Sequence, residues 1–274
     1  MNYLLLFTLF FVGCKNTPQY NDPIPKHDTF TIKSQHVDEG RVINVWTPPS
    51  YEISNDKFPV LYMPDGGIKE DFPHIANTLA KLIKEKSIQP IILVGIENTV
   101  RGRDLTGYSD TKEDEQYCPL TDGAKNFRAF ITEELMPEIN KKYRTSTEKG
   151  IIGESLAGLF VMETFMQNSE TFDFYIAIDP SIWWNDHYLV KNAKDLFKKF
   201  PDKDIKLWFA GSMIENHKYS ISRYTNKLEK ILEKKAPNKL KWNYSYEPKE
   251  KHNTIFRATK EKALKWTLRG ENKK

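Results

Sequence analysis

From Thr29 onward, short apolar runs alternate with longer stretches in which apolar residues recur at helical spacing. TFTIKS and RVINVWTP read as an opening pair of strands. FPVLYMPD, PIILVGIE, the run ending at Gly153, FYIAID and IKLWFAG are apolar on consecutive positions, as expected of strands covered on both faces. KLKWNYSY completes a predicted set of eight strands. Between them the pattern predicts helices from about Phe72, through Phe127, Ile131, Leu135 and Ile139, after Ser155, over about Leu189 to Phe200, through Ile221, Tyr224, Leu228 and Ile231, and from about Thr254. The expected class is therefore α/β, an eight-stranded and mostly parallel sheet with helices on both faces, in one domain over residues 29–270.

Residues 15–28, KNTPQYNDPIPKHD, break this alternation and read as a polar, proline-rich tether. Before them, Tyr3 to Val12 is apolar but too short to span a bilayer, and it ends at Phe11-Val12-Gly13-Cys14. The expectation is a lipoprotein signal peptide over residues 1–13, cut before Cys14, with acyl chains on Cys14 holding an exported protein to a bacterial membrane surface. The run departs from the usual pattern in having no Lys or Arg before it and Phe11 where leucine is commoner, so an apolar N-terminal strand is the competing reading. Cys118 is the only other cysteine, which leaves no disulfide framework once Cys14 is modified.

The 274 residues are 39% hydrophobic and 28% charged, with a net charge of +4 spread along the chain. No basic block is interleaved with exposed aromatics, which argues against nucleic acid as a partner. Lysine-rich stretches such as KLEKILEKK fit solvated helix faces.

The chemistry centres on GESLAG, residues 153 to 158. G-x-S-x-A is a variant of the nucleophile elbow, in which small flanking residues let a strand turn sharply into a helix and expose the serine hydroxyl. Alone it is weak, since such a pattern arises by chance in about one of five chains of this length. Position strengthens it, because Ser155 directly follows the fifth predicted strand and opens a helix. A serine hydroxyl needs a histidine to take its proton. Of the six histidines, only His252 lies between the eighth strand and the final helix, which makes it the expected general base. The orienting carboxylate is expected after the seventh strand, in AGSMIENHK, where Glu215 is the only acid; Asp186, after the sixth strand, competes for the role. Two backbone donors are expected for the oxyanion, from Leu156 and from Gly67 in the loop Met63-Pro64-Asp65-Gly66-Gly67.

Over most of residues 41 to 266 the chain resembles the esterase D-like "putative esterase" family, in particular the bacterial branch that includes siderophore trilactone esterases. The resemblance rests on VLYMPDGG, VGIENTVRGRDLTG, FRAFITEELMPEINKKYRT, IIGESLAGLF, AIDPSIWW and His252. It implies an α/β-hydrolase fold and hydrolysis of a carboxylic ester through an acyl-enzyme, with a siderophore or an acylated sugar as candidate substrates. Three positions depart from the family pattern: Gly107 replaces a proline, Ala157 a glycine, and Asp179 stands where S-P-S-x-W-W is usual. Arg103 and the Trp183-Trp184 pair lie in loops at the carboxyl ends of strands, where open α/β sheets bind ligands. Arg103 is expected to hold an anionic or oxygen-rich acyl group and Trp184 to wall the pocket. The competing readings are an ion pair around Asp104 and ordinary core packing. No metal-ligand spacing, G-x-G-x-x-G after a strand or Walker loop is present, so no cofactor and no metal are expected. Acyl transfer on the same residues, and a binding lipoprotein without turnover, are the alternative functions.

Overall fold

The computed structural model describes residues 21–214 and 220–269. The expectations for residues 1–13 and Cys14, and for Glu215, lie outside the described residues. Eight strands form one sheet in the order β1-β2-β4-β3-β5-β6-β7-β8. They span Asp28–Ser34 (β1), Glu39–Trp46 (β2), Phe58–Pro64 (β3), Ile92–Ile96 (β4), Thr145–Glu154 (β5), Phe174–Ile178 (β6), Ile205–Gly211 (β7) and Leu240–Tyr246 (β8). β1 and β2 are antiparallel, with Asp28 opposite Val45, and β2 joins β4 antiparallel. From β4 to β8 every pair is parallel. This is the eight-stranded, mostly parallel sheet that the alternating pattern predicts, in the α/β-hydrolase fold that the resemblance implies.

The central strands are buried along their length because helices cover both faces. On one face lie α1 (Phe72–Lys84) and α8 (Ile255–Leu268). Phe72, Ile75 and Leu79 pack with Ile255, Leu264 and Leu268 over Ile152, Ile176 and Trp208. The other face is covered by α2 (Arg101–Leu105), α3 (Gly123–Ala129), α4 (Met136–Lys142), α5 (Ser155–Gln167), α6 (Trp184–Phe197) and α7 (Ile221–Lys235). There Phe127, Phe130, Phe160 and Phe165 form the aromatic part of a larger core with Tyr62, Tyr175 and Phe209. Each such side chain contributes roughly 1.5–3 kcal/mol by leaving water.

The single helix expected through Phe127 and Ile139 runs as α3 and α4 joined by a wide π turn over Phe130–Leu135. Pro137 lacks the N–H that would continue the α ladder at that point, and the widened turn absorbs the interruption. α6 also departs from regularity, since Asn185, Asp186 and His187 all have positive φ, near 50°. Asn185 in this left-handed turn is tied to a neighbouring loop, donating its N–H to Asp114 at 2.8 Å and accepting from the Asp110 N–H at 3.1 Å.

Candidate active site

Ser155 sits where β5 hands over to α5, with a left-handed φ of 59° that turns its hydroxyl out of the sheet. The turn is tight enough that a Cβ on Gly153 would lie 2.6 Å from the Ala157 carbonyl and 2.8 Å from the Ala157 Cβ. With alanine already at 157, glycine at 153 is the residue that lets strand and helix approach.

His252 follows β8 and reaches back across the sheet end. Its Nε2 lies 3.0 Å from Ser155 Oγ, and its Nδ1 lies 2.7 Å from Asp179 Oδ2. The structure brings Ser155 and His252 together as expected and changes the acid. The carboxylate that meets Nδ1 among the described residues is Asp179 at the end of β6, one strand nearer to Ser155 than the loop that carries Glu215. Asp186, the competitor weighed in the sequence, is exposed on α6 and pairs with Lys191 and with His187.

Asp179 is fully buried, and the surroundings are built to hold an ionised carboxylate. Oδ1 accepts the Ser212 N–H at 2.9 Å and the Ser222 hydroxyl at 3.1 Å, while Oδ2 accepts the Ser212 hydroxyl at 2.8 Å besides facing His252. A buried carboxylate without such donors would cost several kcal/mol. Its own backbone takes a positive φ of 43° while its N–H bonds Ala210 O at 3.0 Å, which pins the residue between β6 and β7. The residues after β7 therefore do serve the triad, as Ser212, by holding the acid rather than supplying it. The signal available in the sequence was an aspartate directly ending the apolar run FYIAI, where a buried charge demands a partner.

Burial works against the charged form of His252, but its hydrogen bond to Asp179 and the charges of Asp179 and Glu154 outweigh it, so its pKa lies above the ordinary histidine value. Glu154, the residue before Ser155, is pushed up to about 8 by burial, with the nearby acids Asp71, Asp179 and Asp65 adding to the rise and His252 opposing it. A buried carboxyl that holds its proton to higher pH beside Ser155 was not legible in the sequence, because nothing in GESLAG reveals what surrounds position 154.

Leu156 lies in the first turn of α5, where backbone N–H groups lack intrahelical acceptors and the helix dipole favours developing negative charge. Gly67 does not present a free donor. Its N–H is held by Glu70 Oε2 at 2.6 Å, and the Gly66 N–H is held by Ile96 O at 2.9 Å. The Glu70 carboxylate also accepts from the Asn98 side chain at 2.9 Å.

The two residues expected to face the substrate, Arg103 and Trp184, both carry structural contacts. Arg103 is committed to structure, donating to Glu39 at 2.5 Å and to Asp104 at 2.7 Å in a cluster with the buried Arg41. Trp184 is 4% exposed and donates its indole N–H to Gly107 O at 3.0 Å, while also lining a cavity of about 240 Å3 with Gly107, Leu159 and Glu163. Their neighbours in sequence are half-buried and have partners of their own. Trp183 is half-buried and packs edge-on against Tyr117 at 5.1 Å. Arg101 makes a bidentate pair with Asp65, both bonds 2.7 Å, and its charge reaches Glu154 and His252. Among the described residues no cluster of three or more His, Cys, Asp or Glu is placed to hold a metal ion.

Known proteins share this arrangement of elements. Ferri-bacillibactin esterase BesA of Bacillus subtilis is 25% identical over 266 residues, covering 88% of this chain and 92% of the relative. Apo-salmochelin esterase of Escherichia coli O6:H1 is 24% identical over 253 residues, covering 86% and 77%. Among solved structures, an IroE-like serine hydrolase from Shewanella oneidensis superimposes with a TM-score of 0.79 at 28% identity, over 88% of this chain and 79% of the other. The BES protein from Bacillus cereus, at 22% identity, has the same fold with a TM-score of 0.78 over 93% and 100%. The profile of the family described as "Putative esterase" matches residues 34–227, more than half of the chain, and with the fold and the paired Ser155 and His252 already in place the protein belongs to that family of ester hydrolases.

Proposed function

We propose that the protein is a serine esterase that hydrolyses an ester-linked siderophore through an acyl-enzyme. The observation that carries this reading is the continuous line Ser155 Oγ, His252 Nε2, His252 Nδ1, Asp179 Oδ2, with steps of 3.0 and 2.7 Å. In this mechanism the Ser155 oxygen attacks the ester carbonyl carbon as its proton passes to His252 Nε2. Asp179 holds the Nδ1 proton in place and stabilises the imidazolium without itself taking the proton. The oxyanion forms against the first turn of α5, with Leu156 N–H as a donor. Collapse breaks the bond to the alcohol, which leaves with the proton from His252. Water then attacks the acyl-Ser155 carbonyl, gives its proton to His252 and releases the acid, and the proton returns to Ser155.

The siderophore assignment draws on the relatives, two of which are esterases of ferri-bacillibactin and of salmochelin. The half-buried Trp183 beside Tyr117 offers apolar, aromatic surface for such a ligand. A fluorophosphonate probe tests the nucleophile: labelling of the wild type and none of Ser155→Ala is expected, and equal labelling would remove Ser155 from the role. Comparison of kcat/KM for a catecholate trilactone, a feruloylated sugar and an aryl ester tests the substrate class, and a preference for the sugar ester would overturn the siderophore reading.

We also propose that the protein is an exported lipoprotein anchored through Cys14, on the strength of the apolar run ending in Phe11-Val12-Gly13-Cys14. In a bacterial host the wild type is expected to partition into detergent and Cys14→Ser into the aqueous phase. Equal aqueous partitioning would reject the anchor.

A further inference from the structure

An open groove of about 870 Å3 lies away from Ser155. It runs along the outer side of α8 and over the starts of β7 and β8. Its charged lining is six cations, Lys206, Lys241, Arg257, Lys262, Lys265 and Arg269, against the single acid Glu261. That acid is already shared, accepting from Lys81 at 2.7 Å and lying 3.7 Å from Lys265. Lys262 pairs with Glu247, and Arg257 with Asp22. Lys241 and Arg269 have no ion-pair partner among the described residues, and Lys206 bonds only the Thr267 carbonyl, at 3.1 Å.

Lys206 and Lys241 also face each other across the β7–β8 ladder. Like charges directly opposite on adjacent strands repel, and the fold places no carboxylate between them. The half-buried Trp266 adds an amphipathic ring to the same groove. The charge of this face thus complements an extended anionic surface rather than a point anion.

The start of the described chain identifies that surface. Asp22 is docked onto Arg257, with Nη1 to Oδ1 at 3.1 Å, and Pro23 O accepts from Asn77 of α1 at 2.7 Å. The N-terminal segment therefore leaves the domain beside the groove. Eight residue steps lead from Cys14 to Asp22, a reach of at most about 29 Å. We propose that the α8 face is a membrane-docking surface, which lies on anionic phospholipid headgroups next to the N-terminal tether. It adds an electrostatic contact to the hold of the acyl chains. Lys206 and Lys241 begin their strands, whereas Ser155 follows the carboxyl end of β5, so the docked protein holds its catalytic end away from the headgroups and open to a soluble substrate. The position of the tether matters through the lipoprotein reading, but the charge of the face does not depend on it.

The experiment uses the full-length chain carrying Cys14→Ser, so that no acyl chain contributes, with sedimenting vesicles of phosphatidylcholine alone or with 30% phosphatidylglycerol. Binding to the anionic vesicles is expected, weakening as salt is raised. Lys241→Gln, Lys265→Gln and Arg269→Gln together are expected to weaken it about a hundredfold, from roughly fivefold for each cation at the surface. Lys33→Gln, Lys57→Gln and Lys141→Gln, which remove the same charge elsewhere, are expected to weaken it much less. Turnover of a soluble aryl ester should be unchanged in both variants and on the vesicles. Equal binding to both vesicle types, equal loss in the two triple variants, full competition by inorganic phosphate at the same phosphate concentration, or inhibition of turnover by docking would each overturn the proposal. Failure of the anchor itself is read separately, from detergent partitioning of the wild type.

Discussion

Replacing Asp179 by asparagine keeps the shape of the buried acid and changes one oxygen to an amide nitrogen. The hydrogen bonds decide which one. Oδ1 accepts the Ser212 backbone N–H at 2.9 Å, and an NH2 group there would face another donor, leaving a buried N–H unpaired at a cost of about 1–3 kcal/mol. The amide oxygen therefore stays at the Oδ1 position, and the NH2 group points at His252 Nδ1. That nitrogen must then accept, which moves the ring proton to Nε2, where it faces Ser155 Oγ. The base is lost although every atom is in place. The serine protease precedent for this tautomer trap is a fall of about ten-thousandfold in kcat, equal to roughly 5.5 kcal/mol in the barrier. We expect Asp179→Asn to lower kcat for a short p-nitrophenyl ester by about a thousand- to ten-thousandfold with KM little changed. Far-UV circular dichroism should be unaltered, because the hydroxyls of Ser212 and Ser222 can rotate to suit the amide. Glu215→Gln should leave kcat within about threefold. Retention of activity within tenfold by Asp179→Asn would refute the assignment, and a large loss in Glu215→Gln beside it would return the acid to the loop after β7.

Gly153→Ala should destabilise the elbow by about 1–3 kcal/mol, seen as a lower Tm and lost activity, since the new Cβ meets the Ala157 carbonyl at 2.6 Å; unchanged activity would show that the elbow has slack. Because His252 must be neutral to accept the Ser155 proton, and its pKa is raised, the rising limb of kcat/KM should lie above the ordinary histidine value near pH 6.5. Because Glu154 keeps its proton up to about pH 8, Glu154→Gln should leave that limb nearly in place, and a large move to lower pH would show that Glu154 is ionised beside His252. Both groups hold their proton to higher pH in the folded chain than in the unfolded one. Their combined contribution to stability should therefore be full below about pH 4.5 and fall as pH rises toward about 8, a slope that denaturant titration should find flatter in Glu154→Gln. Arg103→Gln should lower Tm and leave KM nearly unchanged, because the side chain is spent on Glu39 and Asp104; a rise in KM without loss of stability would restore it to the substrate.

Along the chain, the order of elements and the elbow were determined by local pattern. Continuous apolar runs such as PIILVGIE specify strands buried on both faces, and a serine between such a run and a helix can only sit at a strand end. His252 followed from the same logic, since only one histidine lies in the last loop before the final helix. The choice of acid did not follow, because Asp179 and Glu215 both come after strands adjacent in the sheet, and only the three-dimensional path of the loop decides which carboxylate meets Nδ1. Tertiary structure chose Asp179 by surrounding it with the Ser212 N–H and two hydroxyls, donors that come from residues 33 and 43 positions away. The same limit explains the neighbouring pairs. In Trp183-Trp184, sequence offers two identical side chains, and which is buried depends on a partner as distant as Gly107; in Arg101-Gly102-Arg103 both are half-buried, and which carboxylate each meets, Asp65 or Glu39, is set equally far away. A local pattern can state that a charge or an indole must find a partner. Which one finds it is a property of the packed sheet, since burial and hydrogen-bond geometry are set by elements far apart in the chain.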